Sequence, residues 1–268
     1  MDLLTLLHAV FLGVLEGLTE FLPVSSTGHL ILFVDLLGFR GPPGRVFEVA
    51  IQFGAILAIC WVYRDKLLRV AAGLLSRDAD AVRFTAAVLL AFFPAVIIGV
   101  LLHGFIKGVL FSPWVVAVSL VVGGGAILYI ERNRPPPVYD VIERIPLAIP
   151  LIIGIAQTLA MIPGVSRAGA TIMSALLLRV ERKTATEFSF FLSIPTMLGA
   201  AVYDLYKNRA SLTFDGVTLI AIGFVFAFIA AMLVVRWVIA FISRHGFEPF
   251  GWYRIVVGAI MLLVLMFR

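Results

Sequence analysis

Two short stretches carry the groups that could do chemistry. EGLTEFLPVSSTGH (16–29) sets Glu16, Glu20, Ser25, Ser26, Thr27 and His29 inside an otherwise apolar region. PGVSRAGAT (163–171) sets Ser166, Arg167 and Thr171 between glycines in another. Ionisable groups at membrane depth are costly and mark function. Glu16 and Glu20 are four apart, so on a helix they share a face. Two carboxylates so placed divide into an acid and a base, or hold a divalent cation, Mg or Ca. Ser26 and His29 are three apart, which brings an imidazole within reach of a hydroxyl or of a leaving group. Ser25 and Thr27 either face a ligand or cap the helix expected after Gly28. Arg167 is read as the only unpaired cation at membrane depth. Its guanidinium suits a phosphate fork, or an ion pair with Glu16 or Glu20. Loops bounded by Pro and Gly expose backbone N–H groups ahead of a helix N-terminus, a setting that binds phosphate. The expected anion-binding set is therefore Ser25, Thr27 and Gly28 in the first loop, and Ser166, Gly169 and Thr171 in the second. His8 and His103 lack such company. There is no Walker A lysine, HExxH pair or Cys/His cluster, and no organic cofactor is expected.

These groups need elements to hold them, and the composition says what kind. The 268 residues are 62% hydrophobic and 14% charged, against about 45–50% and about 25% in soluble domains. That is an all-α polytopic membrane protein. The net charge of +5 belongs to loops that set topology rather than to a nucleic-acid surface. The single cysteine, Cys60, excludes an internal disulfide and lies in an apolar run. Asp2, with no basic flank, argues against a cleaved signal peptide. Spans are expected at 46–63, 84–102, 113–130, 188–206, 216–236 and 250–267, about six in all at about 20 residues each. Residues 3–22 with 30–39, and residues 145–178, are broken by polar groups, Pro and Gly, and read as two re-entrant hairpins. The basic, amphipathic 64–83 is an interfacial segment and loop. Runs 179–187 and 236–249 are also loops, and the triple-proline run 131–144 is a stiff connector within one membrane domain.

The chain repeats itself. GVLEGLTEFLPVSSTGHLIL from Gly13 matches GIAQTLAMIPGVSRAGATIM from Gly154, 141 positions on, without a gap. Repeat one is about 1–130 and repeat two about 145–268. Three spans per repeat make the second enter the membrane inverted. Thirteen Lys and Arg fall in loops on one side and six on the other, so the first side is cytoplasmic and both termini face outward. The two polar tips then meet near the midplane, with the site opening outward. The architecture also admits another class of function, a lipid flippase or secondary transporter. A homodimer is compatible with the sequence.

EGLTEFLPVSSTGH together with PGVSRAGAT resembles the signature pair of the bacterial undecaprenyl-diphosphate phosphatases, the BacA-type family linked to bacitracin resistance. FEVAIQFGAILA (47–58) and TEFSFFLSIP (186–195) are also similar to that family. The resemblance covers essentially the whole chain. It implies hydrolysis of a polyprenyl diphosphate in the bacterial inner membrane, recycling the lipid carrier of wall synthesis. The family's acidic motif falls on Glu16 and Glu20, its serine and histidine on Ser26 and His29, and its arginine loop on Ser166 and Arg167. Where members often read SRSGAT this chain has Ala168, so a hydroxyl there is not available.

Overall fold

The computed structural model describes residues 2–42, 46–105, 112–208 and 214–267. The connections read at 38–45, 103–112 and 206–215, with Arg45, Lys107 and Arg209, and the terminal Arg268, lie wholly or partly outside these residues. Among the described residues eleven α-helices form and no sheet, with one isolated parallel bridge from Tyr139 to Val180.

Helix α1 (Leu3–Thr19) starts at Asp2, whose carboxylate accepts from the Thr5 N–H at 2.9 Å. The chain turns over residues 20–25 and returns as α2 (Ser26–Leu37), which stops at Gly38 with φ 59°. At 1.5 Å per residue neither arm reaches across a hydrocarbon core of about 30 Å. The second hairpin has the same form. Helix α7 (Ala148–Gln157) tightens into a 3₁₀ turn (Thr158–Met161), the chain turns at Gly164 (φ 93°), and α8 (Arg167–Leu177) returns. The second arm of each hairpin begins earlier than the loops read at 23–29 and 163–171 suggest. Ser25 and Ser166 are the N-caps, accepting from Gly28 N at 3.4 Å and Gly169 N at 3.0 Å. Ser26 to His29 and Arg167 to Thr171 are therefore helical, on the first turns of α2 and α8.

The spans surround these hairpins. Helix α3 (Val46–Val62) bends by 75° into α4 (Arg64–Ser76), a basic amphipathic helix with no buried residue, as an interfacial segment requires. Then follow α5 (Ala79–Phe105), α6 (Pro113–Asn133), α9 (Arg182–Asn208), α10 (Phe214–His245) and α11 (Glu248–Met266). Helices α5, α6, α10 and α11 are long and apolar enough to cross a membrane, and α3 with α4 makes at most a fifth crossing. The sixth expected span, α9, is 27 residues long but opens on Arg182, Lys183 and Glu187. It runs through the run read as a loop at 179–187. Likewise α10 continues to His245, which shortens the loop read at 236–249 to Gly246 and Phe247.

Close backbone contact at small residues packs the bundle, the usual means where lipid offers no hydrophobic contrast. Helix α1 crosses α10 at Gly13, where a Cβ would collide with the Gly223 carbonyl; α7 crosses α5 at Gly154, where it would collide with the Ala91 carbonyl. Helices α6 and α11 meet at Gly124, whose Cβ would lie 2.6 Å from Gly251 O. The core lies where the hairpin tips, α3, α9 and α10 converge, and it is lined by Phe21, Phe188, Phe190 and Phe191.

Candidate active site

The first turns of α2 and α8 open onto one cavity of about 70 Å³. It is lined by Glu20, Ser25, Ser26, Thr27, Ser166 and Arg167, with Ala160, Val165 and Met197 closing it. The first N–H groups of a helix have no carbonyl of their own to reach, so two helix N-termini present donors to the same space.

Glu20 bridges the two tips. Ser26 Oγ–H donates to its Oε2 in a very short contact, and Arg167 Nη2 donates to its Oε1 at 2.9 Å. All three side chains are buried. Of the two ion-pair partners open to Arg167, Glu20 is the one it takes. Arg167 is steered from behind: Nη1 donates to Ser189 O at 2.9 Å, and Thr171 Oγ1 donates to Ser189 Oγ at 2.7 Å. Its Nε–H has no partner among the described residues. Ser166 Oγ, besides capping α8, donates to Leu22 O at 3.3 Å and ties one tip to the other.

Other expected residues stand further back. Thr171 lies behind Arg167 and does not line the cavity, and the amides of Gly28 and Gly169 are engaged by the capping serines. Glu16 shares its helix face with Glu20 and is 0% exposed, and its carboxylate oxygens have no hydrogen-bond partner among the described residues. Electrostatically it feels Glu20, Arg167 and Glu48. Gln157, which the 141-residue offset places on Glu16, is likewise buried, and both its amide atoms lack a partner among the described residues.

Of the two roles open to His29, reaching a hydroxyl or a leaving group, the first does not involve Ser26 in this structure. Its Nδ1 lies 2.8 Å from Ser25 O and its Nε2 lies 2.7 Å from Tyr253 Oη, so both nitrogens are taken. The serine hydroxyl belongs instead to Glu20.

A second cation at depth also corrects the reading that Arg167 is the only one. Arg254 of α11 is 2% exposed. It donates from Nη1 to Pro23 O (3.0 Å), from Nη2 to Gly164 O (2.8 Å) and Ser119 O (3.1 Å), and from Nε to Leu120 O (3.4 Å). One guanidinium thus clamps the first tip, the second tip and α6. The sequence held the signal: of 21 Lys and Arg, the loops account for all but Arg167 and Arg254.

For a divalent cation the donors are few. A hard cation takes six or more oxygens. Glu16 offers two free ones, Glu20 is occupied, and no cluster of three His, Cys, Asp or Glu converges among the described residues. Phosphate and water oxygens would have to complete any such site.

The chain matches the family model for bacitracin resistance protein BacA over residues 9–260. It is 55% identical over 263 residues to an undecaprenyl-diphosphatase of Cereibacter sphaeroides, covering 98% of this chain and 97% of that one. It is 53% identical over 267 residues to the undecaprenyl-diphosphatase of Acinetobacter baumannii, covering 100% and 98%. It is 53% identical over 264 residues to undecaprenyl-diphosphatase 2 of Paramagnetospirillum magneticum, covering 98% and 100%. With a family match from the first hairpin to the last helix, and relatives above half identity along their whole length, this chain belongs to the BacA family of bacitracin resistance proteins.

Proposed function

We propose that this protein hydrolyses undecaprenyl diphosphate to undecaprenyl phosphate and inorganic phosphate at the cavity between the two tips. The step returns a lipid carrier to wall synthesis and underlies bacitracin resistance. The observation that carries the site reading is the Ser26–Glu20–Arg167 chain: a hydroxyl on a carboxylate, and that carboxylate on a guanidinium. An activated nucleophile needs a base within hydrogen-bond reach, and phosphoryl transfer is mostly positioning and charge stabilisation. The terminal phosphate enters between the helix N-termini, and Arg167 turns its forks to the phosphoryl oxygens. Glu20 takes the Ser26 proton. The Oγ–P bond forms while the P–O bond to the lipid phosphate breaks, and the lipid monophosphate leaves with the proton that Glu20 held. Water then gives a proton to the freed Glu20 carboxylate and attacks phosphorus; the Oγ–P bond breaks, inorganic phosphate leaves, and Glu20 returns the proton to Ser26 Oγ. If a divalent cation (Mg or Ca) takes part, Glu16 is its holder, and it would supply charge neutralisation of the diphosphate.

The isoprenoid tail fits an apolar groove of α9 lined by Pro195, Leu198, Gly199, Val202 and Tyr206, with Phe92 of α5 opposite. Met197, one residue away on α9, borders the cavity. The packing supports two inverted repeats: α1 on α10 is answered by α7 on α5, through Gly13 and Gly154 at the same offset. The Lys and Arg distribution supports an outward opening. Purified protein in detergent, given prenyl diphosphate with and without chelator, tests this. Phosphate release must vanish in Ser26→Ala, and a phosphoenzyme must be trapped on Ser26 in the wild type. A flippase would release no phosphate, and normal turnover in Ser26→Ala would remove the serine from the reaction.

A further inference from the structure

The two tips are built alike except at one corner. Ser166 caps α8 from ordinary extended backbone (φ −60°, ψ 130°). Ser25, at the equivalent place, caps α2 from the left-handed region (φ 70°, ψ 84°), where a residue with a Cβ rarely sits. Its cap bond to Gly28 N is also the longer of the two, 3.4 Å against 3.0 Å. Such strain persists only where the surroundings over-determine it, and it gathers at working sites. Here the surroundings are specific. A carbonyl only accepts, so the His29 nitrogen on Ser25 O, Nδ1, carries the proton. In the neutral ring Nε2 then accepts the Tyr253 hydroxyl proton. The two rings stack at 5.6 Å and 10°. Tyr253 is rooted beside Arg254, which holds the carbonyl of Pro23 two residues before Ser25. At the second tip Ala170 occupies the place of His29, and there the corner is relaxed.

We propose that Tyr253 and His29 are positioning residues: together they peg the strained Ser25 corner so that Ser26, the next residue, stays on Glu20. This rests on Ser26 being the attacking group. The imidazole is then a donor to a carbonyl, not the base of the reaction. Among the described residues the charged group acting on His29 is Arg254 of α11. On the α1 side Glu20 is engaged by Ser26 and Arg167, Glu16 lies behind it, and on α2 itself Asp35 has an interaction of its own.

The test exploits asparagine, whose amide N–H occupies the place of Nδ1–H but has no basic nitrogen. Turnover per folded enzyme, monodisperse in detergent, is compared for wild type, His29→Asn, His29→Ala, Tyr253→Phe and Ser26→Ala across pH. A peg predicts that His29→Asn keeps at least about a tenth of kcat while His29→Ala falls about 100-fold, the cost of a misplaced group. The pH profile of His29→Asn keeps the wild-type shape. Tyr253→Phe, which removes only a hydroxyl from a residue 44% exposed, lowers kcat about 2- to 10-fold with KM unchanged, the range for one lost hydrogen bond. His29→Asn as inactive as His29→Ala, or lacking one limb of the pH profile, overturns the proposal in favour of acid–base chemistry at the ring, provided Ser26→Ala is inactive. Activity in Ser26→Ala would instead remove the reading beneath it.

Discussion

Arg254→Met should separate stability from turnover. The guanidinium makes four hydrogen bonds to carbonyls of three segments. At membrane depth a hydrogen bond is worth about 0.6 kcal/mol on average and about 1.7 kcal/mol at most, so four amount to about 2–7 kcal/mol. Methionine also removes the cost of burying a cation and fills much of the same volume, which offsets part of that loss. The net destabilisation then falls near the lower end, about 2 kcal/mol, which a fold of about 5–15 kcal/mol survives. Catalysis has no such margin. Pro23 O and Gly164 O lose their common anchor, and the distance from the Ser26 tip to the Arg167 tip is no longer set. A shift of about 1 Å between reacting groups costs about 100-fold in rate. The variant should therefore purify as folded protein with a lowered thermal midpoint, and release phosphate about 100-fold more slowly. Arg254→Lys should recover little, because one ammonium cannot span carbonyls on both tips and α6 at once. Turnover within threefold of wild type in folded Arg254→Met would refute the clamp as a determinant of the site.

Glu16→Gln replaces a fully buried carboxylate, close to that of Glu20, whose oxygens have no hydrogen-bond partner among the described residues; the thermal midpoint should rise while phosphate release falls, the trade expected of a strained functional group. Gly13→Leu and Gly154→Leu drive a side chain into the carbonyl of the crossing helix; each should cost at least about 1–3 kcal/mol, read as a drop in midpoint or in folded yield, with the two positions behaving alike. Leu198→Trp fills the α9 groove; KM for a long-chain prenyl diphosphate should rise several-fold while a short-chain analogue is handled as by wild type.

The groups whose burial in lipid demands a reason could be read from the sequence. Glu16, Glu20, Ser26 and Arg167 stand out because charge and hydroxyls interrupt apolar runs, and all of them are buried where the two tips meet. The inverted repeat carries the expectation that the two tips meet, and in the structure Glu20 joins Ser26 of one tip to Arg167 of the other. What escaped depends on backbone atoms. The loop count leaves Arg254 over as a cation outside the loops, but its partners among the described residues are all carbonyls, and carbonyls leave no mark in a sequence, so its role as a clamp could not be read there. The partners of His29 escaped for a related reason. A spacing of three puts two side chains on one side of a helix turn, but the imidazole is aimed by Ser25 O and by Tyr253, 224 positions away. The extent of the loops was misjudged because Ser25 and Ser166 both read as loop residues, and only their capping geometry shows that α2 and α8 begin immediately after them.

Ser26 and Arg167 are the first residues of α2 and α8, equivalent positions in two tips that differ in chemistry. One carboxylate holds both, Oε2 on the hydroxyl and Oε1 on the guanidinium. The arrangement couples the two halves of the reaction. A phosphate that draws the guanidinium away leaves the Ser26 hydroxyl as the remaining hydrogen-bond partner of Glu20 among the described residues, so the carboxylate is released to the serine when substrate is in place. Because breaking a buried pair leaves an uncompensated charge, at a cost of about 3–5 kcal/mol, water alone does not repay the separation, whereas a multiply charged phosphate does. The same coupling makes Glu20→Gln and Arg167→Ala non-additive: once one partner is gone, removing the other should slow phosphate release far less than it does in the intact pair.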